Sequence, residues 1–300
     1  MRVFFPSTDG SPQDAEILDG CGRYPLVALL HGQCVEADHY RAWDLVPAQL
    51  ARSGYVVVVP ELSSQPPFGE GANPDVARVE QVLLWMRASW AHASVLMPRP
   101  LTAVVGHSWG ALLAAVVAAR LQAAGSVSAY ASLSGGWLEW PPSPPRPLAS
   151  LDMATMFMWG TGSSDLFSAL EGAAASIWDE PRGASHKIVF LDGEHWDYLR
   201  ESATTCGFWR GPCTLMRSLA ADFLTTFLSH YMAPERWTLL NVTIPHSLLP
   251  PPLDLTPQQE FFAVGHLQGL AQIASSAGCS VTHTWRLPPL GGGSVTLSGP

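Results

Sequence analysis

Four short runs of the sequence are apolar at nearly every position instead of at alternate positions. They are PLVALL, YVVVVP, LTAVVG and KIVFL, and segments with helical spacing of apolar residues lie between them. Strands that are apolar throughout are typical of parallel sheets, because helices cover both faces of such a sheet. The sequence therefore predicts an α/β fold with a mostly parallel central sheet flanked by helices.

The same pattern predicts the positions of the elements. The predicted strands are Arg2–Phe5, Pro25–Leu30, Tyr55–Pro60, Leu101–Val105, Val127–Leu133, Thr155–Trp159 and Lys187–Leu191. Apolar residues at helical spacing predict helices over Asp75–Ala91 and Thr214–Tyr231.

The alternation of strand and helix is lost after about Ala233. The remaining segment consists of short extended pieces, such as Trp237–Ile244 and Ser280–Leu287, separated by loops. We therefore predict a principal domain over residues 1–232 and a C-terminal extension over residues 233–300. The extension is expected to pack on the principal domain, and its role is open.

Composition narrows the classes of partner. The net charge is −9 and only 14% of residues are charged, which argues against a basic surface for nucleic acid. Neither a signal peptide nor a membrane span is visible, so a soluble protein is expected, either cytoplasmic or secreted after removal of a signal. The five cysteines include no C-x-x-C pair and suggest no zinc site. Cys206 and Cys213 are near enough in sequence to form a disulfide, but the spacing favours two ordinary thiols, and the oligomeric state is open.

One pentapeptide has the setting of a catalytic nucleophile. Gly106-His107-Ser108-Trp109-Gly110 stands directly between a predicted buried strand and an apolar helix. Such an abrupt turn forces the serine into a strained conformation, and the flanking glycines avoid collisions that a Cβ would cause. The following helix directs its N–H groups toward the same point. We predict that Ser108 is a nucleophile rather than a simple helix cap.

A serine nucleophile needs a base and a residue that orients the base. The strand TMFMWG leads into Asp165, and the strand KIVFL leads into His195, so both follow Ser108 at ends of later strands. We predict His195 as base and Asp165 as acid. Asp192 and Glu194 are rivals for the acid role, although their closeness to His195 in sequence favours loop positions.

An oxyanion formed by attack on a carbonyl requires two preorganised N–H donors. The first is expected to be the backbone N–H of Trp109, the residue after the nucleophile. The second is expected from the loop of PLVALLHGQC, where His31-Gly32 permits a tight turn and Gln33 supplies the N–H. Cys34 is a weaker candidate.

These motifs together resemble a known superfamily. HGQ, GHSWG, GTGSSD and GEHWDY are similar, in this order, to the oxyanion loop, nucleophile turn, acid loop and histidine loop of α/β-hydrolases. The opening MRVFFPSTDG, followed by GCGRYPLVALLHG, resembles the dienelactone-hydrolase-like group, which includes chlorophyllase-like and polyester-hydrolase-like esterases. The similarity extends over about Met1–Met232.

The resemblance implies a serine esterase that cleaves a small-molecule or polymeric carboxylic ester, with no metal or organic cofactor. It also implies that Trp137 lines the substrate pocket, and His31 and Trp196, on the same set of loops, are further candidates for substrate contact. The segment between Ser108 and Asp165 is too short for a large helical lid, so an open cleft is expected.

The same constellation of residues serves other chemistries. Thioester or amide cleavage and acyl transfer use it equally, and a non-catalytic member of the fold could bind a small ligand in a tryptophan-rich cleft. A dehalogenase or epoxide hydrolase is disfavoured, because those enzymes carry a carboxylate at the position of Ser108.

Overall fold

The computed structural model describes residues 1–7, 15–18, 23–32, 39–63, 74–97, 101–135, 147–162, 165, 180–191, 193–199, 216–232, 281–286 and 296–298. Within these residues one sheet contains nine strands: β1 (Arg2–Phe4), β2 (Leu26–Leu30), β3 (Val56–Val59), β4 (Thr102–His107), β5 (Ala129–Leu133), β6 (Ala154–Gly160), β7 (Ser185–Phe190), β8 (Val281–Arg286) and β9 (Thr296–Ser298).

The strand order is β1-β3-β2-β4-β5-β6-β7-β8-β9. The six strands from β3 to β7 in this order run parallel, while β1, β8 and β9 pair antiparallel with their neighbours at the two edges. The carboxyl ends of β4, β5, β6 and β7 therefore lie side by side along one edge of the sheet. Loops that leave these four ends are brought together there, as is typical of ligand sites in open α/β sheets.

Both faces of the sheet are buried along β2 to β7, and alternation along these strands divides the core in two. In β2, Leu26, Ala28 and Leu30 belong to one apolar cluster, whereas Val27 and Leu29 belong to the other. This follows from the two-residue period of a strand, which sends successive side chains to opposite faces. The uniformly apolar runs of the sequence are thus explained by two separate cores, one on each face.

Four helices among the described residues cover these cores: α1 (Leu45–Arg52), α2 (Pro74–Ala88), α3 (Trp109–Ala123) and α4 (Met216–Met232). Side chains of α1 and α4 join the cluster that contains Val27, and those of α2 and α3 join the cluster that contains Leu26. None of these helices is both long enough and apolar enough to cross a membrane.

The seven predicted strands are confirmed, with ends shifted by one or two residues, and so is the mostly parallel sheet flanked by helices. The two predicted helices correspond to α2 and α4. The extended piece predicted at Ser280–Leu287 is β8, which pairs with β7. Residues 237–244 lie outside the described part of the chain, and the division of the chain at residue 232 stays a prediction.

Candidate active site

Ser108 occupies the turn between β4 and α3. Its backbone has φ 55° and ψ −125°, and α3 begins at the next residue. Among the described residues, Ser134 is the one other non-glycine residue with positive φ. Such a conformation is unfavourable for a residue with a Cβ and is a feature of nucleophile turns. The N–H of Ser108 donates to the Leu133 carbonyl at 3.0 Å, which fixes the turn to the end of β5.

The two glycines of the pentapeptide permit close packing of backbone around this turn. A Cβ at Gly106 would lie 2.1 Å from the Gly110 carbonyl oxygen. A Cβ at Gly110 would lie 2.4 Å from the carbonyl oxygens of Leu30 and His31. A larger residue at either glycine would therefore push α3 away from β2 and β4, which agrees with the close packing that the sequence predicts at these glycines.

The end of β2 packs directly against the nucleophile turn. A Cβ on Gly32 would be 2.7 Å from the Cβ of Ser108, so only glycine allows this approach. Trp109 is the first residue of α3, and its N–H belongs to the group of donors that a helix directs beyond its N-terminus. Gln33 lies outside the described residues, so its role as second donor stays a prediction, as does that of Trp109.

The imidazole of His195 and the carboxylate of Asp165 form a buried pair. His195 Nδ1 is 3.3 Å from Asp165 Oδ1, and the two side chains are 6% and 0% exposed. Because an ionised carboxylate only accepts hydrogen bonds, Nδ1 carries the proton and Nε2 is left as the basic nitrogen. The pair has the tautomer and burial that a general base and its orienting acid require.

His107 connects the nucleophile turn to the histidine loop. Its Nε2 donates to the main-chain oxygen of His195 at 2.8 Å, and the two rings lie 4.8 Å apart between centroids. Trp43 and Trp196 pack edge-on against the His107 ring, at 5.8 Å and 5.6 Å between centroids. The residue before the nucleophile and the loop carrying His195 are therefore in direct contact at the carboxyl edge of the sheet.

Asp165 has further partners that sequence reasoning did not identify. Its Oδ2 lies 2.6 Å from the Ser134 hydroxyl and accepts from the Gly160 N–H at 2.8 Å. Ser134 Oγ is in turn 3.3 Å from the hydroxyl of Tyr198, in the histidine loop. Ser134 follows β5, the strand between those that precede Ser108 and Asp165, but this position alone does not specify a bond to Asp165.

Two of the remaining candidate residues, Trp196 and Glu194, lie among the described residues. Trp196 packs edge-on against His195, with centroids 4.7 Å apart. Glu194, the rival acid, lies against Gly162, because a Cβ there would be 2.3 Å from the Glu194 carboxyl carbon. Asp192, Trp137, and the cysteines, including Cys34, Cys206 and Cys213, fall outside the described residues.

His31, a candidate for substrate contact, has both ring nitrogens engaged within the protein. Nδ1 lies 2.9 Å from the Gly32 carbonyl, and Nε2 accepts from the N–H of Leu62 at 3.0 Å. This pattern needs a neutral ring with its proton on Nδ1. His31 thereby joins the end of β2 to the segment after β3, while its role towards substrate stays a prediction.

We expect His31 to make the protein less stable in mild acid. Burial lowers the pKa of His31 below its ordinary 6.5, against smaller opposing effects of the Gly32 carbonyl, Asp75 and Glu61. Below pH 6.5 the unfolded state then binds more protons at His31 than the folded state, so the free energy of unfolding falls as pH falls through this window.

The measurement is urea unfolding of the wild type and of His31→Gln between about pH 7.5 and about pH 5. Glutamine can still accept from Leu62 but does not titrate, so its stability should decline less with falling pH. Identical pH slopes for the two proteins would exclude His31 as a source of acid instability.

Comparison with known proteins agrees with this fold. The family model described as chlorophyllase matches residues 17–135, which include β2 to β5 and the Ser108 turn. No curated protein gives a significant match. The sheet, with its flanking helices, is consistent with the α/β-hydrolase fold, the superfamily to which the matched family belongs. Over the matched residues the chain is similar to chlorophyllases, and this likeness indicates an ester hydrolase of the α/β-hydrolase type.

Proposed function

We propose that the protein is a serine esterase that cleaves carboxylic esters through an acyl-enzyme. Ser108 attacks the ester carbonyl while His195 takes its proton, and His195 then gives the proton to the departing alcohol. Water repeats the sequence to release the acid, and Asp165 stays ionised throughout. The N–H groups of Trp109 and Gln33 stabilise the oxyanion.

The observation that carries the proposal is the combination of one strained serine with one buried histidine–carboxylate pair at the same edge of the sheet. Ser108 follows β4, Asp165 follows β6, and His195 follows β7. The contact of His107 with the main chain of His195 brings the nucleophile turn and the base loop together. The chlorophyllase-like match over residues 17–135 supports ester hydrolysis among the chemistries open to such a triad.

A substrate panel tests the proposal on the purified chain. The panel pairs p-nitrophenyl esters of increasing acyl length with matched thioesters and anilides, and adds a soluble polyester and chlorophyll, which the name of the matched family suggests. We expect turnover of esters to exceed that of anilides, and pretreatment with a fluorophosphonate to abolish it. Ester turnover that survives stoichiometric fluorophosphonate labelling would contradict a serine mechanism.

A further inference from the structure

The carboxylate of Asp165 divides its two oxygens between different partners. Oδ1 is 3.3 Å from His195 Nδ1, whereas Oδ2 is 2.6 Å from Ser134 Oγ and 2.8 Å from the Gly160 nitrogen. The two partners of Oδ2 stand at the ends of the neighbouring strands β5 and β6. Because they hold Oδ2 from two directions, rotation of the carboxylate is restricted, and Oδ1 remains directed at His195.

From this geometry we propose that Ser134 is a positioning residue of the catalytic site, whose hydroxyl fixes the Asp165 carboxylate in the orientation that aligns His195. The proposal rests on the proposed function, since it assigns Ser134 to the same triad. Ser134 would touch neither substrate nor the reacting atoms and would act through Asp165.

The backbone of Ser134 supports a specific role for its side chain. Its φ is 43°, a region that glycine adopts without strain and residues with a Cβ do not. The residue is fully buried, and its N–H donates to the Met158 carbonyl at 2.7 Å, which attaches the end of β5 to β6. The hydrogen bond from its hydroxyl to Asp165 gives a reason for a serine at this strained position, where glycine would fit without strain.

Tyr198 is a second neighbour of the Ser134 hydroxyl. Its hydroxyl oxygen is 3.3 Å from Ser134 Oγ. A serine hydroxyl has one proton, and the Asp165 carboxylate is its closer acceptor, at 2.6 Å, so the Ser134 proton goes chiefly to Asp165 and Tyr198 is the more distant neighbour. Burial first, and the charge of Asp165 second, hold the pKa of Tyr198 well above its ordinary value, so Tyr198 stays protonated beside Ser134 and Asp165.

Tyr198 connects this hydrogen-bond network back to the loop that carries His195. Tyr198 lies three residues after His195, so the histidine loop supplies both the base and a hydroxyl next to that of Ser134. Linked hydrogen-bond donors of this kind strengthen one another in a buried site. Loss of one donor should disturb the alignment of His195 more than it disturbs the fold.

The test uses Ser134→Gly and Ser134→Ala in the full chain, assayed with p-nitrophenyl butyrate. Glycine removes the hydroxyl without backbone strain, so it remains informative if the alanine variant folds poorly. Because small displacements of catalytic groups cost up to about 100-fold, we expect kcat to fall by about 10- to 100-fold with KM nearly unchanged. Tyr198→Phe should lower kcat less, because Gly160 and Ser134 still hold Oδ2.

Two variants serve as controls. Ser132→Ala removes another buried hydroxyl from β5, and Tyr55→Phe removes a buried tyrosine hydroxyl that lies 3.1 Å from Ser229 Oγ. Both should retain wild-type kcat. A wild-type kcat in Ser134→Gly, with Ser108→Ala inactive, would overturn the positioning role and leave the triad standing.

Two other outcomes are equally clear. A loss of folded protein in Ser134→Gly with an unchanged kcat per folded molecule would also overturn the proposal, since it would show a purely structural role. Undiminished turnover in Ser108→Ala would instead reject the proposed function itself, independently of the result at Ser134.

Discussion

Ser108→Ala is expected to lower kcat/KM for p-nitrophenyl esters by about 10⁶-fold, as loss of a nucleophile does in serine hydrolases with a complete triad. Alanine keeps the Cβ, so the strain at φ 55° and the approach of Gly32 are unchanged, and the variant should fold like the wild type. Residual catalysis of about 10³-fold over water should persist from the oxyanion donors and substrate binding.

Ser126→Ala is the matched control for this variant. Ser126 is also a buried serine, but it precedes β5 at the opposite edge of the sheet, with its hydroxyl 3.3 Å from the Ala124 carbonyl. Its loss should leave kcat/KM at the wild-type level. Turnover by Ser108→Ala comparable to that of Ser126→Ala would remove Ser108 from the mechanism.

Asp165→Asn is expected to lower kcat by about 10⁴-fold, because an asparagine that offers its amide to Nδ1 selects the wrong tautomer of the base. The structure makes the comparison with the rival acid direct. Glu194 lies against Gly162, whereas the Oδ1 of Asp165 lies 3.3 Å from His195 Nδ1. Glu194→Gln should therefore cost far less in kcat than Asp165→Asn.

Steady-state kinetics of both variants, together with circular dichroism to verify folding, provide the measurement. A larger kcat loss in Glu194→Gln than in Asp165→Asn would reverse the assignment of the acid. Equal and small losses in both would mean that the orientation of His195 depends on neither carboxylate.

Much of the fold could be predicted from the sequence, because its signals are local. Strands such as Val56–Val59 are buried on both faces and are therefore apolar throughout, and the strand–Ser108–helix turn has a short, recognisable pattern. The pairing of β8 with β7 was not predictable. It joins residues about 100 positions apart, and no local pattern of the segment specifies its partner strand.

The candidate site also has a part that the sequence predicts and a part that it does not. Ser108, Asp165 and His195 could be proposed because each follows a recognisable strand, and chain order limits the choices. The hydrogen bonds of Asp165 Oδ2 could not be predicted from the sequence, because they depend on which strands are neighbours and on a positive φ at Ser134. The role of His31 in bonding Leu62 also depends on the tertiary arrangement and escaped sequence reasoning.

The most direct test of Ser108 as the nucleophile is to trap and locate the acyl-enzyme. The wild type is mixed with a p-nitrophenyl ester of a bulky acid that deacylates slowly, quenched in acid, and digested for mass spectrometry. We expect one acyl group per chain, on the peptide that contains Ser108, and none in Ser108→Ala. An acyl group on any other residue, or product release with no covalent intermediate at Ser108, would contradict this role of Ser108.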